Sequence, residues 1–337
     1  MRNIVNKLFH TALYMQISMC SYLGNAMELP TNAVLVTNEV SAFVPLPLER
    51  KTAEFCPSGK TVASEHITAL IEQGMQGIIV RNPTPKLSSW LGYTEVGQAC
   101  KEGSTITHIE SQLTSALDVS YLLYGLESIE NSTLQSLMLG TLYGQNCKTL
   151  LQKVIKSSPS LKELCLGCNA RASSRYMPQV FRALQGSSVE SLTVKNAYII
   201  DGASKALGEY LKENKTLKSL TLESCWVPLK ILPDFMGKIC DNQSLQILVI
   251  RNNKSSMQVH TARCLANGLI KIAKNKSCGL VQVDLSDNKL DDDFIQTMGK
   301  ILAKEWTKDW PLKIILTGNL FTEKTQEEFA VYSKLIF

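Results

Sequence analysis

Apolar residues recur along most of this chain in one short phrase. They fill its first, fourth and sixth positions and leave the third, fifth, seventh and eighth mostly polar. Leu161, Leu164 and Leu166 form one copy, closed by Asn169 at the ninth position. Val189, Leu192 and Val194 form the next, followed by Leu217, Leu220 and Leu222 with Cys225, then Leu245, Leu248 and Ile250 with Asn253, then Leu280, Val283 and Leu285 with Asn288. Looser copies begin at Met75 (Ile78, Val80), Ile106 (Ile109) and Leu134 (Leu137, Leu139), and a last one holds Ile314, Leu316 and Asn319. With that last copy counted from Pro311, the starts are 75, 106, 134, 161, 189, 217, 245, 280 and 311, so the steps are 31, 28, 27, 28, 28, 28, 35 and 31. A near-constant period of this length marks a repeat architecture.

Alternation within the phrase predicts a short strand, and the segments between phrases carry apolar residues at helical spacing. Ala203, Ala206, Leu207, Tyr210 and Leu211 make one such face; Ala262, Leu265, Leu269, Ile270 and Ala273 make another. Asp291, Asp292 and Asp293 open one helix, where carboxylates suit the positive end of the macrodipole, and Lys271, Lys274 and Lys276 close another. One strand-loop-helix unit cannot bury its own apolar face, so neighbours must stack. The expected fold is α/β: a horseshoe solenoid with parallel strands on the concave face and helices on the convex face.

From Met75 to the C-terminus the chain resembles the leucine-rich repeat family, and its 28-residue step with a full helix is similar to the ribonuclease-inhibitor type. The resemblance implies that the ninth residue, Asn, Cys or Thr, satisfies backbone groups of the neighbouring coil. Thr114, Asn169, Cys225, Asn253, Asn288 and Asn319 fit; Pro83, Leu142 and Ala197 depart. The expected organisation is a leader or signal segment over 1–26, an N-terminal flank with a capping helix over 27–74, and about nine repeats over 75–337.

Composition is that of an ordinary folded chain, 45% hydrophobic and 19% charged, and the net charge of +5 is mild and dispersed, which argues against a grip on nucleic acid. Ten cysteines are scattered singly through the repeats, as small buried hydrophobes would be. Cys165 and Cys168 form a CxxC without the second pair that a zinc site requires, so neither metal nor cofactor is expected. Before the repeats, the stretch from Leu8 to Met27 lacks charge and ends near Gly24 and Ala26. It reads either as a signal peptide, hence export, or as an amphipathic leader helix on a cytoplasmic protein. It is too interrupted by polar residues to span a membrane. Gly59, Lys60 and Thr61 echo a phosphate loop, yet Glu54 occupies the position of its first glycine. Leu46, Pro47 and Glu49 resemble the opening of an F-box, the adaptor that joins many leucine-rich repeats to ubiquitin ligases. Glu323, Glu327 and Glu328 before Leu335, Ile336 and Phe337, on a last helix expected from Thr322 to Phe337, resemble the C-terminal export signal of type IV secreted bacterial effectors.

The four histidines, His10, His66, His108 and His260, lie in separate segments, and no nucleophile or metalloprotease motif is present. No catalytic function is expected. The face that solenoids use remains: Glu163, Cys165, Ser191, Thr193, Lys195, Asn196, Ser219, Thr221, Glu223, Ser224, Arg251, Asn252, Gln282, Asp284, Ser286 and Asp287 are expected to project from the concave sheet toward a protein partner of a monomeric chain. Trp90 and Trp226 fall just beyond strands, as rim anchors or as core.

Overall fold

In the computed structural model the described residues are 52–55 and 69–337, apart from short stretches at 81–89, 101–103, 114, 130–131, 143–144, 169, 201, 228–231, 254–258, 306–309, 331 and 333–334. The leader, the phosphate-loop echo, the F-box-like residues, Pro83, Thr114 and Asn169 lie outside them. The described residues fall within one compact unit, Glu49–Phe337.

The alternating phrase becomes one parallel sheet whose strand order is the chain order. Its strands are β1 (Thr52–Phe55), β2 (Gly77–Val80), β3 (His108–Ser111), β4 (Ser136–Leu142), β5 (Glu163–Cys168), β6 (Ser191–Lys195), β7 (Ser219–Glu223), β8 (Ile247–Arg251), β9 (Gln282–Asp284), β10 (Lys313–Ile315) and β11 (Leu335–Ile336). Between them come α1 (Trp90–Gln98), α2 (Ala116–Glu127), α3 (Gln145–Ser157), α4 (Ala170–Ala183), α5 (Gly202–Glu213), α6 (Leu232–Cys240), α7 (Val259–Lys274), α8 (Asp292–Leu302) and α9 (Glu323–Phe329). The fourth position of every phrase lies in one register row: Ile78, Ile109, Leu137, Leu164, Leu192, Leu220, Leu248, Val283 and Ile314. All nine are buried and join the helices' apolar faces in one continuous core. The fold is the expected α/β solenoid.

The sheet is longer than the phrase. β1 pairs with β2, and the C-terminal tail forms β11. The expected helix to Phe337 stops at Phe329, because the tail packs better as a strand: Leu335 is buried and Phe337 lies edge-on to Phe321 at 5.6 Å.

Side chains then tie coil to coil. Asn288, fully buried, donates through Nδ2 to the carbonyls of Ile250 (2.6 Å) and Leu285 (2.8 Å), and its Oδ1 accepts from the Asn253 amide (2.9 Å). Asn319 repeats the pattern toward Asn288 and Leu290. Cys225 makes weaker contacts from its thiol to the Val194 and Glu223 carbonyls. Where Ala197 departs from the ninth-position rule, the backbone closes the gap: the Trp226 amide donates to Ala197 and the Ile199 amide to Trp226. At Leu142, the other departure, the carbonyl accepts from the Tyr176 hydroxyl and β4 shifts register against β5. The acidic run at 291–293 is used as helix chemistry. Asp291 caps α8 by accepting from the Phe294 amide (2.9 Å), and Asp292 accepts from the Thr322 amide and hydroxyl (both 2.9 Å), anchoring the start of α9.

Asn288→Ala leaves several buried backbone groups unpaired and should lower unfolding free energy by about 3 kcal/mol. Tyr210→Phe is the contrasting change: its hydroxyl is buried with no hydrogen-bond partner among the described residues, so its removal should leave stability within about 1 kcal/mol of wild type or raise it. Urea midpoints of the two variants distinguish these outcomes.

Candidate functional site

The open face of the sheet is built from the odd positions of the phrase. Register places Glu163, Ser191, Ser219, Ile247 and Gln282 in one row, and Cys165, Thr193, Thr221, Val249 and Asp284 in the next. Ser191, Thr193, Ser219 and Thr221 are half-buried and adjacent, and none of their hydroxyls has a hydrogen-bond partner among the described residues. Half-buried Ile247 and Val249 continue this floor on the next strand.

Two rows of charge frame the floor. At the seventh position Glu223 lies between Lys195 (3.3 Å) and Arg251 (3.1 Å). At the second position Glu190 lies between Lys162 (2.8 Å) and Lys218 (2.6 Å). Burial alone would raise the Glu223 carboxyl, but Lys195 and Arg251 outweigh it and hold it below the ordinary value. Hydrogen bonds from Lys162 and then Lys218 lower Glu190 in the same way. The second-position row was not among the expected site residues. Its signal was present, since Lys162, Glu190 and Lys218 alternate in charge along the same period as Lys195, Glu223 and Arg251.

Beyond the seventh position the chain turns sharply. Asn196, Ser224, Asn252 and Asp287 all have φ between 53° and 57°, and Gly318 has φ of 69°. This left-handed conformation suits Asn, Asp and Gly. It lets the amides of Asn196 and Ser224 donate to the carbonyls of Glu223 and Arg251 in the following repeat. The eighth residues, expected to project as binding groups, are turn formers first. Asn252 is exposed, and its Nδ2 donates to the Ser224 hydroxyl at 2.9 Å.

The remaining expected residues divide. Glu163 is exposed. Cys165 is half-buried, with its thiol raised by burial against the pull of Lys195, while burial pushes Cys168 up to about 12. Gln282 and Asp284 are not open positions: they are 8% and 5% exposed, and Asp284 turns its carboxylate along its own strand to the Ser286 amide at 2.9 Å. Ser286 is buried as well, and Asp287 is exposed. Trp226 is a surface residue, 52% exposed, held edge-on by Tyr198 with ring centroids 5.2 Å apart. Trp90 is the first residue of α1. Among the described residues no group of three or more His, Cys, Asp or Glu side chains could hold a metal ion, and no helix is long and apolar enough to cross a membrane.

The clamped glutamates link this face to pH. Both have depressed folded values, so their contribution is complete well above the ordinary glutamate value of 4.5 and is lost as pH falls through the folded values. Stability should be flat with respect to these groups between about pH 6 and 8 and decline in acid, and Glu223→Gln should reduce that acid decline in urea titrations. The double change Lys195→Glu with Arg251→Glu would align three carboxylates in one row, so it should destabilise these repeats rather than probe binding alone.

No protein-family model matches the chain. Among curated proteins it is similar to leucine-rich repeat-containing protein 41 of mouse, rat and human, each 27% identical over 191 residues covering 53% of this chain. The match takes in 22% of the relatives' length, so the chain corresponds to less than a quarter of each. A repeat written in the sequence, a sheet with one strand per repeat and this similarity agree: the chain folds as a leucine-rich repeat solenoid.

Proposed function

We propose that the chain is a non-catalytic scaffold that captures a partner protein on the concave face of β5–β8. The observation that carries this reading is the block of four unpartnered hydroxyls, Ser191, Thr193, Ser219 and Thr221, on a rigid floor between two rows of internally compensated charge. The framing charges are already paired, so they orient rather than attract. The hydroxyls and the adjacent Ile247 and Val249 offer hydrogen bonds and apolar contact to an extended segment of another protein. Trp226 supplies at the rim the kind of aromatic anchor that dominates interface energies. Solenoids present such faces without moving parts, and the similarity to leucine-rich repeat-containing protein 41 supports the same class of architecture.

Affinity capture from a eukaryotic lysate, with proteins identified by mass spectrometry, tests the reading. Thr221→Arg blocks the floor and Trp226→Ala removes the anchor. A partner of this face should be lost by the first variant and weakened by about 30-fold in the second, with circular dichroism unchanged. Identical captured sets from wild type and both variants would move the site off this face.

A further inference from the structure

Among the described residues, three repeats leave their helices through the same tripeptide: Asn214-Lys215-Thr216, Asn242-Gln243-Ser244 and Asn275-Lys276-Ser277. In each, the asparagine Oδ1 accepts from the amide two residues on, at 2.9, 2.9 and 3.0 Å. In the first two it also accepts from the leucine that opens the next phrase, at 2.6 Å. Two of these side chains also reach back to the preceding coil. Asn242 Nδ2 donates to the carbonyls of Leu211 (2.5 Å) and Asn214 (3.0 Å), and Asn275 Nδ2 to that of Cys240 (2.8 Å). The hydroxyl two residues on does so too: Thr216 donates to Ser187 and Val189, and Ser244 to Asn214. Asn242 is 2% exposed and Asn214 is 8% exposed. At Asn214 and Asn242 the staple therefore uses Asn at the first place and a hydroxyl at the third, a requirement for Ser or Thr there.

That requirement spells the acceptor sequence for N-linked glycans, Asn-x-Ser/Thr. The glycan would be attached to Nδ2. At Asn242 both hydrogens of that atom are directed at carbonyls of the preceding coil, leaving neither direction nor room for a sugar. We infer that folding and N-glycosylation at Asn242 and Asn275, whose Nδ2 atoms are both committed to the preceding coil, exclude each other, so the chain reaches its native state only in a compartment without oligosaccharide transfer. The thiols agree with such a compartment: among the described cysteines, Cys165, Cys240 and Cys278 are partly accessible and form no disulfide. This assigns the repeat loops a constraint on cellular address, independent of what the open face binds.

The test directs the full chain into the secretory pathway of mammalian cells behind a heterologous leader and compares it with the same chain made in the cytosol. Protease-resistant and protease-sensitive fractions are separated and glycopeptides mapped in each. A Glu323→Asn variant serves as internal control, because it places an acceptor ahead of Lys324 and Thr325 at an exposed position. Glycan occupancy at Asn242 and Asn275 should be about ten-fold lower in the resistant fraction than in the sensitive one, while the control position is occupied in resistant chains. A secreted chain that is glycosylated at Asn242 and as protease-resistant as the cytosolic product would overturn the inference.

Discussion

Everything in this solenoid depends on buried polar groups being satisfied one repeat away. A coil that leaves its strand, turns and re-enters as a helix carries amides and carbonyls that no neighbour in sequence can reach, and an unpaired buried group costs about 1–3 kcal/mol. Asn288 and Asn319 resolve this at the exit of the strands, and Asn214, Asn242 and Asn275 resolve it at the exit of the helices. Asn242, Asn275, Asn288 and Asn319 reach across coils by close to one repeat length. The near-constant period is therefore a consequence of hydrogen-bond geometry as much as of hydrophobic packing: an insertion between staples must be absorbed in a loop, as in the longer step before Leu280.

The same registration creates the open face. Once the fourth and sixth positions are locked inside, the third, fifth and seventh must stack in rows outside, and side chains one repeat apart become lateral neighbours. Like charges placed there would repel along the whole row. The chain alternates Lys162, Glu190, Lys218 and Lys195, Glu223, Arg251 instead, which fixes long side chains in place and leaves the intervening hydroxyls uncovered.

The apolar skeleton was legible in the sequence because period alone decides it: Leu164, Leu192, Leu220 and Leu248 have no competing reading. The open face was legible as a set of positions but not as a set of roles. Alternation says that Gln282 and Asp284 share a face with Ser219 and Thr221, yet it carries no information on what closes over them. It placed Asn196, Ser224 and Asn252 outside without revealing that a left-handed turn selects them. It marked Lys195 and Arg251 as available cations, although the residue between them one repeat away, Glu223, was already in view. The tail failed for a different reason. Leu335, Ile336 and Phe337 are too few to show whether a period of two or of 3.6 governs them, and the neighbouring strand decides.

The departures from the ninth-position rule are where structure and function meet. Asn253, Asn288 and Asn319 keep the ladder intact through the last repeats, and there the sheet's outward residues Gln282 and Asp284 are closed off. At Ala197 and Cys225 the asparagine is missing. The backbone must then come together to replace it, as the bridge between Tyr198 and Trp226. That bridge sets the residue after each ninth position side by side at the sheet's rim, and it holds a tryptophan half in solvent against a tyrosine edge. The tryptophan's support by a local rearrangement falls on the two repeats that also carry the unpartnered hydroxyls, so the proposed concave-face site and its rim anchor share β6 and β7.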